Sequence, residues 1–249
     1  MEWFLLAALA TGGSGYLARR WRANTARRRK QQVELDGVRH LAEEDVTLLG
    51  EQLQRLDREV DGRPLDEAAR IDYQTALDSY ESAQRTVPHI RGPEEISTIT
   101  DTLASGRYAL ACVQARVAGL PVPERRVPCF FNPQHGPSVT NVRWNQPAAR
   151  GTRVVPACAQ DAARVANHER VEVRTVTIGA RKVPYWEAGN AYLPYGLGYF
   201  QGAAVMAWAF QTPAAAEVSS GWHGGGGHGG GGFEGGFDGG FDGGGGGGD

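Results

Sequence analysis

Hydrophobic positions along the chain fall into three regimes. From Trp3 to Ala18 every residue is apolar or small, with Trp3, Tyr16 and Trp21 near the two ends of the run. A helix of about 17–19 such residues rises roughly 27 Å, enough to cross a hydrocarbon core if the flanking arginines reach the headgroups. From Gln31 the run gives way to a stripe. Leu35, Val38, Ala42, Val46, Leu49, Leu53, Leu56 and Val60 recur every three or four residues, with Glu43, Glu44, Asp45, Glu51, Arg55 and Glu59 largely off it, the pattern of a long amphipathic helix. Gly62-Arg63-Pro64 breaks it. A second stripe, Ala69, Tyr73, Ala76, Leu77, Tyr80 and Ala83, predicts a helix from about Leu65, ended by Pro88 and Gly92-Pro93. A third runs from Pro93 through Ile96, Ile99, Leu103, Tyr108, Leu110, Cys112, Val113 and Val117 to Gly119, with Pro placed where a first helical turn favours it and Gly where a helix ends. Three helices with short Gly/Pro links predict an antiparallel bundle over residues 31–120.

Beyond it the periodicity changes. Val139 to Trp144 alternates, Val154-Val155 leads into Cys158, and Asp161 to Asn167 has the composition of a short helix. Val171 to Ile178 and Arg181 to Trp186 flank Gly179-Ala180, a two-residue connection suited to a hairpin. Residues 121–190 therefore read as a small α+β module, with too little core of its own and in need of either the bundle or a staple. Residues 191–212 are apolar and Gly-rich. They suit an interfacial or packing segment, or a second membrane crossing at 193–211. Residues 213–249 are almost all glycine with Phe-acid pairs, a composition that predicts disorder and weak self-association. The expected fold is mainly α: a membrane helix with its basic flank at 1–30, the bundle, the module, the apolar segment and the tail.

Composition adds an asymmetry hidden by the net charge of -2. Arg19, Arg20, Arg22, Arg27, Arg28, Arg29 and Lys30 follow the apolar run with no acid among them. Residues 34–101 carry 17 acidic and 7 basic side chains, residues 102–182 carry 4 and 12, and no Lys or Arg follows Lys182. Positive charge after the apolar run, with Glu2 before it, predicts an N-terminus outside and the main body in the cytoplasm at the cell membrane. A cleaved signal peptide would want that charge first. The arginines suit lipid headgroups rather than nucleic acid, since Trp21 is the only aromatic residue among them. The carboxylates of the helices lie at spacings that bring them near Arg on exposed faces and read as a solvated surface; the alternative is that the acidic first two helices dock on the basic segment that follows, within one chain or between copies.

Candidate chemistry is confined to Cys129 and His135, answered 29 residues on from Cys129 by Cys158 and Asp161. Two ligands from each of two turns is a zinc arrangement, although Asp as last member and a five-residue gap in the first pair weaken it. The spacing therefore favours plain reduced structural cysteines and no cofactor, with zinc, a Cys129–Cys158 disulfide and a Cys129–His135 nucleophile pair as the alternatives. His40 and His89 have no partner at ligand spacing, and Cys112 lies in the apolar pattern of the third helix.

The runs Gly106-Arg107-Tyr108-Ala109-Leu110-Ala111-Cys112, Pro128-Cys129-Phe130-Phe131-Asn132-Pro133 to His135-Gly136-Pro137-Ser138, Val155-Pro156-Ala157-Cys158-Ala159 to Asp161-Ala162, and Val183-Pro184-Tyr185-Trp186 resemble a family of uncharacterised actinobacterial membrane-anchored proteins with a Gly-rich C-terminal tail. That resemblance implies a membrane anchor and no activity. The expectation is a membrane-tethered, non-enzymatic interaction or scaffolding protein with a protein partner or self-association, no catalytic residue and no small-molecule substrate. The alternative is a zinc-binding or enzymatic module built on Cys129, His135, Cys158 and Asp161.

Overall fold

The computed structural model describes residues 2–145 and 151–209; the side chains of residues 2–18, Pro93 and Trp208 are outside the description. The tail, 213–249, lies outside it too. Helix α1 runs from Glu2 to Val60, 59 residues without a break, or about 88 Å at 1.5 Å per residue. The boundary read at residues 30 and 31 is thus a change of surroundings within one helix: residues 19–33 are exposed apart from half-buried Thr25, whereas Val38, Leu41, Ala42, Val46, Leu49, Leu53 and Leu56 are buried. Among the described residues no helix is long and apolar enough to cross a membrane. The segment expected to do so belongs to the first part of α1, whose side chains are not described.

Helix α2 (Glu67–Thr86) starts two residues later than the pattern suggests. Asp66 supplies its N-cap, the carboxylate accepting from Ala69 N at 2.6 Å, which satisfies one of the first-turn donors. Helix α3 (Pro93–Val117) begins at the expected proline. Pairs such as Gly50 with Tyr80 and Asp72 with Arg116 set α2 antiparallel to both neighbours, so the expected bundle forms.

The module pairs β1 (Thr140–Asn145) with β2 (Thr152–Ala157) in an antiparallel register that puts Val142 opposite Val155. Helix α4 (Ala159–Ala166) follows directly. A second hairpin pairs β3 (Thr175–Ile178) with β4 (Arg181–Pro184) across Gly179-Ala180, as the sequence suggests but with shorter strands. Its base hydrogen-bonds the turn at 129–136 through Arg174 N to Phe131 O at 2.8 Å.

Residues 193–209 form α5 (Leu193–Phe200) and α6 (Met206–Ala209), two short helices, and the apolar segment proves to be core. Tyr195, Tyr199 and Phe200 are buried, and α5 lies on α3 so closely that a Cβ at Gly198 would stand 2.0 Å from Ser97 O. Glycine at position 198 is thus a packing requirement. The hydrophobic core runs continuously from Val38 of α1 through Phe130, Phe131, Tyr185 and Trp186 of the module to Ala209. Phe130 stacks on Trp186 at 4.6 Å between ring centroids.

One acidic residue departs from the predicted surface. Asp45 is fully buried. Its Oδ1 accepts from Gln134 Nε2 at 2.6 Å and Arg174 at 3.0 Å, its Oδ2 from the Tyr195 and Tyr199 hydroxyls at 2.7 Å each, and its backbone carbonyl from Arg107 at 2.8 Å. A buried charge persists only when paired and hydrogen-bonded, and here four segments of chain converge to do it. The acidic face of α1 therefore does meet the basic module internally, since Arg174 also binds Glu44 at 2.7 Å.

Candidate metal centre

The four residues singled out by spacing come together. Cys129 and His135 sit on a closed turn: Pro128 bridges Pro137, Cys129 N donates to Gly136 O at 3.0 Å, and Pro133–His135 forms a short 3-10 turn capped by the Asn132 side chain. Gly136 leaves this turn at φ +83°, a left-handed conformation that a side chain would strain. Cys158 and Asp161 form the start of α4. Cys158 is the N-cap, its sulfur accepting from Asp161 N at 3.4 Å, and the three-residue step returns the Asp161 carboxylate to the same face. The β1–β2 hairpin closes the distance between the two pairs, Val139 N bonding Ala157 O and Phe130 N bonding Pro156 O at 2.9 Å each.

One donor atom from each of Cys129, His135, Cys158 and Asp161 lies within 4.8 Å of all the others. Asp161 Oδ2 is 3.3 Å from Cys129 Sγ, 3.5 Å from Cys158 Sγ and 2.9 Å from His135 Nδ1, and Cys158 Sγ is 3.6 Å from that nitrogen. A zinc tetrahedron with bonds of about 2.3 Å to sulfur and about 2.0–2.1 Å to nitrogen and oxygen has edges of about 3.3–3.8 Å. Three of the four measured separations fall on that scale, and the shortest is that of the imidazole–carboxylate hydrogen bond. The donors are two soft sulfurs, an imidazole and a carboxylate, a set suited to zinc.

Supporting groups hold the four candidate ligands. Arg164 donates to Asp161 Oδ1 at 3.0 Å, leaving Oδ2 for the centre. His135 turns Nε2 outward to Asn132 Nδ2 at 3.3 Å and toward Glu172 at 3.8 Å, which sets Nδ1 inward. Cys129 and Asp161 are fully buried and Cys158 is 8% exposed. The metal-free electrostatics are those of a crowded proton network. The hydrogen bond with Cys129 lowers the Cys158 thiol to about 5 against its burial, with His135 helping, and the same bond and burial push Cys129 up. Burial would lower His135, but Asp161 and Cys158 outweigh it and raise it to about 9. Burial would raise Asp161, yet the bonds from His135 and Cys129 carry it below the usual carboxylate range.

The nucleophile alternative fares less well. His135 Nδ1 faces Cys158 rather than Cys129, and Asp161 takes the same nitrogen at the shorter distance. His40 is exposed beside Glu43 and Glu44, and Cys112 is a buried residue of α3. What spacing missed is the shell: Arg164, Asn132 and Glu172 carry no motif, and only the helical step from Asp161 to Arg164 could have signalled one of them. Comparison of the chain with protein-family models, with curated proteins and with solved structures finds no match.

Proposed function

We propose that this chain is a membrane-tethered, non-enzymatic interaction protein whose binding body is fixed by a structural zinc ion held by Cys129, His135, Cys158 and Asp161. The observation that carries the reading is the convergence of four zinc-type donors from two separate turns on one buried point. Four protein ligands complete a tetrahedral site, whereas a catalytic zinc keeps one position for water or substrate. The ion's contribution here is therefore to folding: it would tie the turn at 129–136 to α4 across the hairpin. The tether is supported by the apolar run Trp3–Ala18, the basic flank and the unbroken α1 that joins them to the body.

Cobalt substitution tests the site. Purified protein refolded with Co(II) should show intense visible absorption of a tetrahedral ion and thiolate-to-metal charge transfer near the ultraviolet. Cys129→Ala should weaken the charge-transfer band, and zinc should displace the cobalt. An octahedral cobalt spectrum, or one unchanged by Cys129→Ala and Cys158→Ala, would defeat the reading.

A further inference from the structure

A cleft on the described surface lies apart from the candidate metal centre. It lies where α1 leaves the body, has a volume of about 520 Å³, and is lined by Arg28, Leu35 and Val38 of α1, Arg91 of the α2–α3 link, and Asn190 and Ala191. Leu35, Val38 and Ala191 give the cleft apolar lining, and Arg28 and Arg91 bring guanidinium groups to it. Neither has an ion pair among the described residues, while the acid of the lining, Glu34, is paired with Lys30 at 3.7 Å. Above the cleft the exposed part of α1 carries seven basic residues and no acid between Arg19 and Lys30. The site asks for a short segment that offers an aromatic or aliphatic group next to a carboxylate.

We propose that the C-terminal tail of this same chain docks here through its Phe-acid pairs, Phe233-Glu234, Phe237-Asp238 and Phe241-Asp242. Three observations favour this occupant. Residues 210–249 hold five acids and no Lys or Arg, the complement of the α1 flank. Each phenylalanine is followed immediately by a carboxylate, so ring and charge reach apolar lining and guanidinium groups together; a buried ring also adds a large apolar contact. The chain leaves the body at α6, which packs on α5, and α5 follows directly from the turn that supplies Asn190 and Ala191. From Ala209 to Phe233 the chain takes 24 residue steps, through 23 intervening residues that are Gly-rich from Gly221 on, and a flexible chain of that length has a root-mean-square span of about 27 Å. Tethering at that span gives an effective concentration in the millimolar range, on the order of what a weak dipeptide site needs. Three equivalent pairs spaced four residues apart multiply the ways of filling it.

Photocrosslinking in the full-length protein, kept in membranes, decides the matter. With benzoylphenylalanine in place of Phe237, crosslinks should map to residues 28–38 of α1 or to 190–192 within the same chain. The double variant Arg28→Glu, Arg91→Glu should reduce their yield by about ten-fold, and raised salt should reduce it too. Crosslinks to lipid would show that an anionic bilayer takes the basic face instead. Crosslinks to a second copy would make the tail an oligomer contact. Either result, or a pattern unchanged by the double variant, overturns the proposal.

Discussion

Asp161 and Asp45 are both fully buried carboxylates, and they answer the cost of burial in opposite ways. Asp161 turns one oxygen to two sulfurs and an imidazole and the other to Arg164, an arrangement that a cation at the centre would complete. Arg164→Gln is therefore expected to weaken zinc binding about 10–100-fold while leaving its stoichiometry intact at saturation, checked by competition with a chromophoric chelator. Asp45 is already complete, with four side-chain donors on its two oxygens. Asp45→Ala should cost about 3–5 kcal/mol, because Arg174 and two tyrosine hydroxyls lose their acceptor in the interior; urea denaturation of the intact chain measures it. The two residues differed in legibility for a physical reason. Asp161 announces itself by its three-residue step from a cysteine, but Asp45 sits one position before Val46 on α1, where a stripe that faces only two helices would be solvated. Its burial depends on Tyr195 and Tyr199, 150 and 154 residues away, and local periodicity holds no trace of them. Arg107 of α3 is also buried and joins the network through the Tyr199 hydroxyl at 2.9 Å and the Asp45 carbonyl at 2.8 Å.

Helices α1, α2 and α3 were legible because each presents an apolar stripe at helical spacing with Gly or Pro at its ends. Helix α5 was not. Eight residues with two glycines carry no decisive period, and the apolar composition that suggests a membrane surface equally suits a core position. The structure assigns it the uncovered face of α3, with the Asp45 network as its polar centre. This alters what the bundle can do alone. Residues 31–120 by themselves would leave that face bare and strip Asp45 of Tyr195, Tyr199, Arg174 and Gln134. The fragment is expected to be helical by circular dichroism but to melt broadly, whereas residues 31–209 should melt in one cooperative transition. A sharp, equally stable transition in the shorter fragment would mean that the module and α5 are additions to a finished core. The second hairpin shows the same limit: its turn was readable from Gly179-Ala180, but its strands, Thr175–Ile178 and Arg181–Pro184, are shorter than the runs that flank it because Arg174 already turns to bond Phe131.

For the whole molecule, continuity is the main consequence. One helix carries the apolar run, the basic flank and the first bundle stripe, so a bilayer ending near Ala18 would hold the body, which begins near Leu35, about 25 Å away on a rigid rod. In the topology proposed from the charge bias, that body would lie in the cytoplasm. A reporter fused at about residue 120 should behave as cytoplasmic in cells and the protein should fractionate uncleaved with membranes; a secreted chain starting near Thr11 would refute this topology.

The cluster of Cys129, His135, Cys158 and Asp161 joins the turn at 129–136 to the start of α4, and the zinc proposed there makes metal content the decisive quantity. In small zinc domains the binding free energy, on the order of 10 kcal/mol, is largely folding free energy. Here part of the module is also held by Phe130, Phe131, Tyr185 and Trp186 in the common core. Losing the metal should therefore loosen residues 120–190 more than the helices. The most direct measurement is elemental analysis of the full-length protein purified without added metal, combined with amide exchange before and after chelation. The account predicts about one zinc per chain and a chelator-induced loss of protection confined mainly to residues 120–190. Less than about one-tenth equivalent of zinc, with exchange indifferent to chelator, would contradict it.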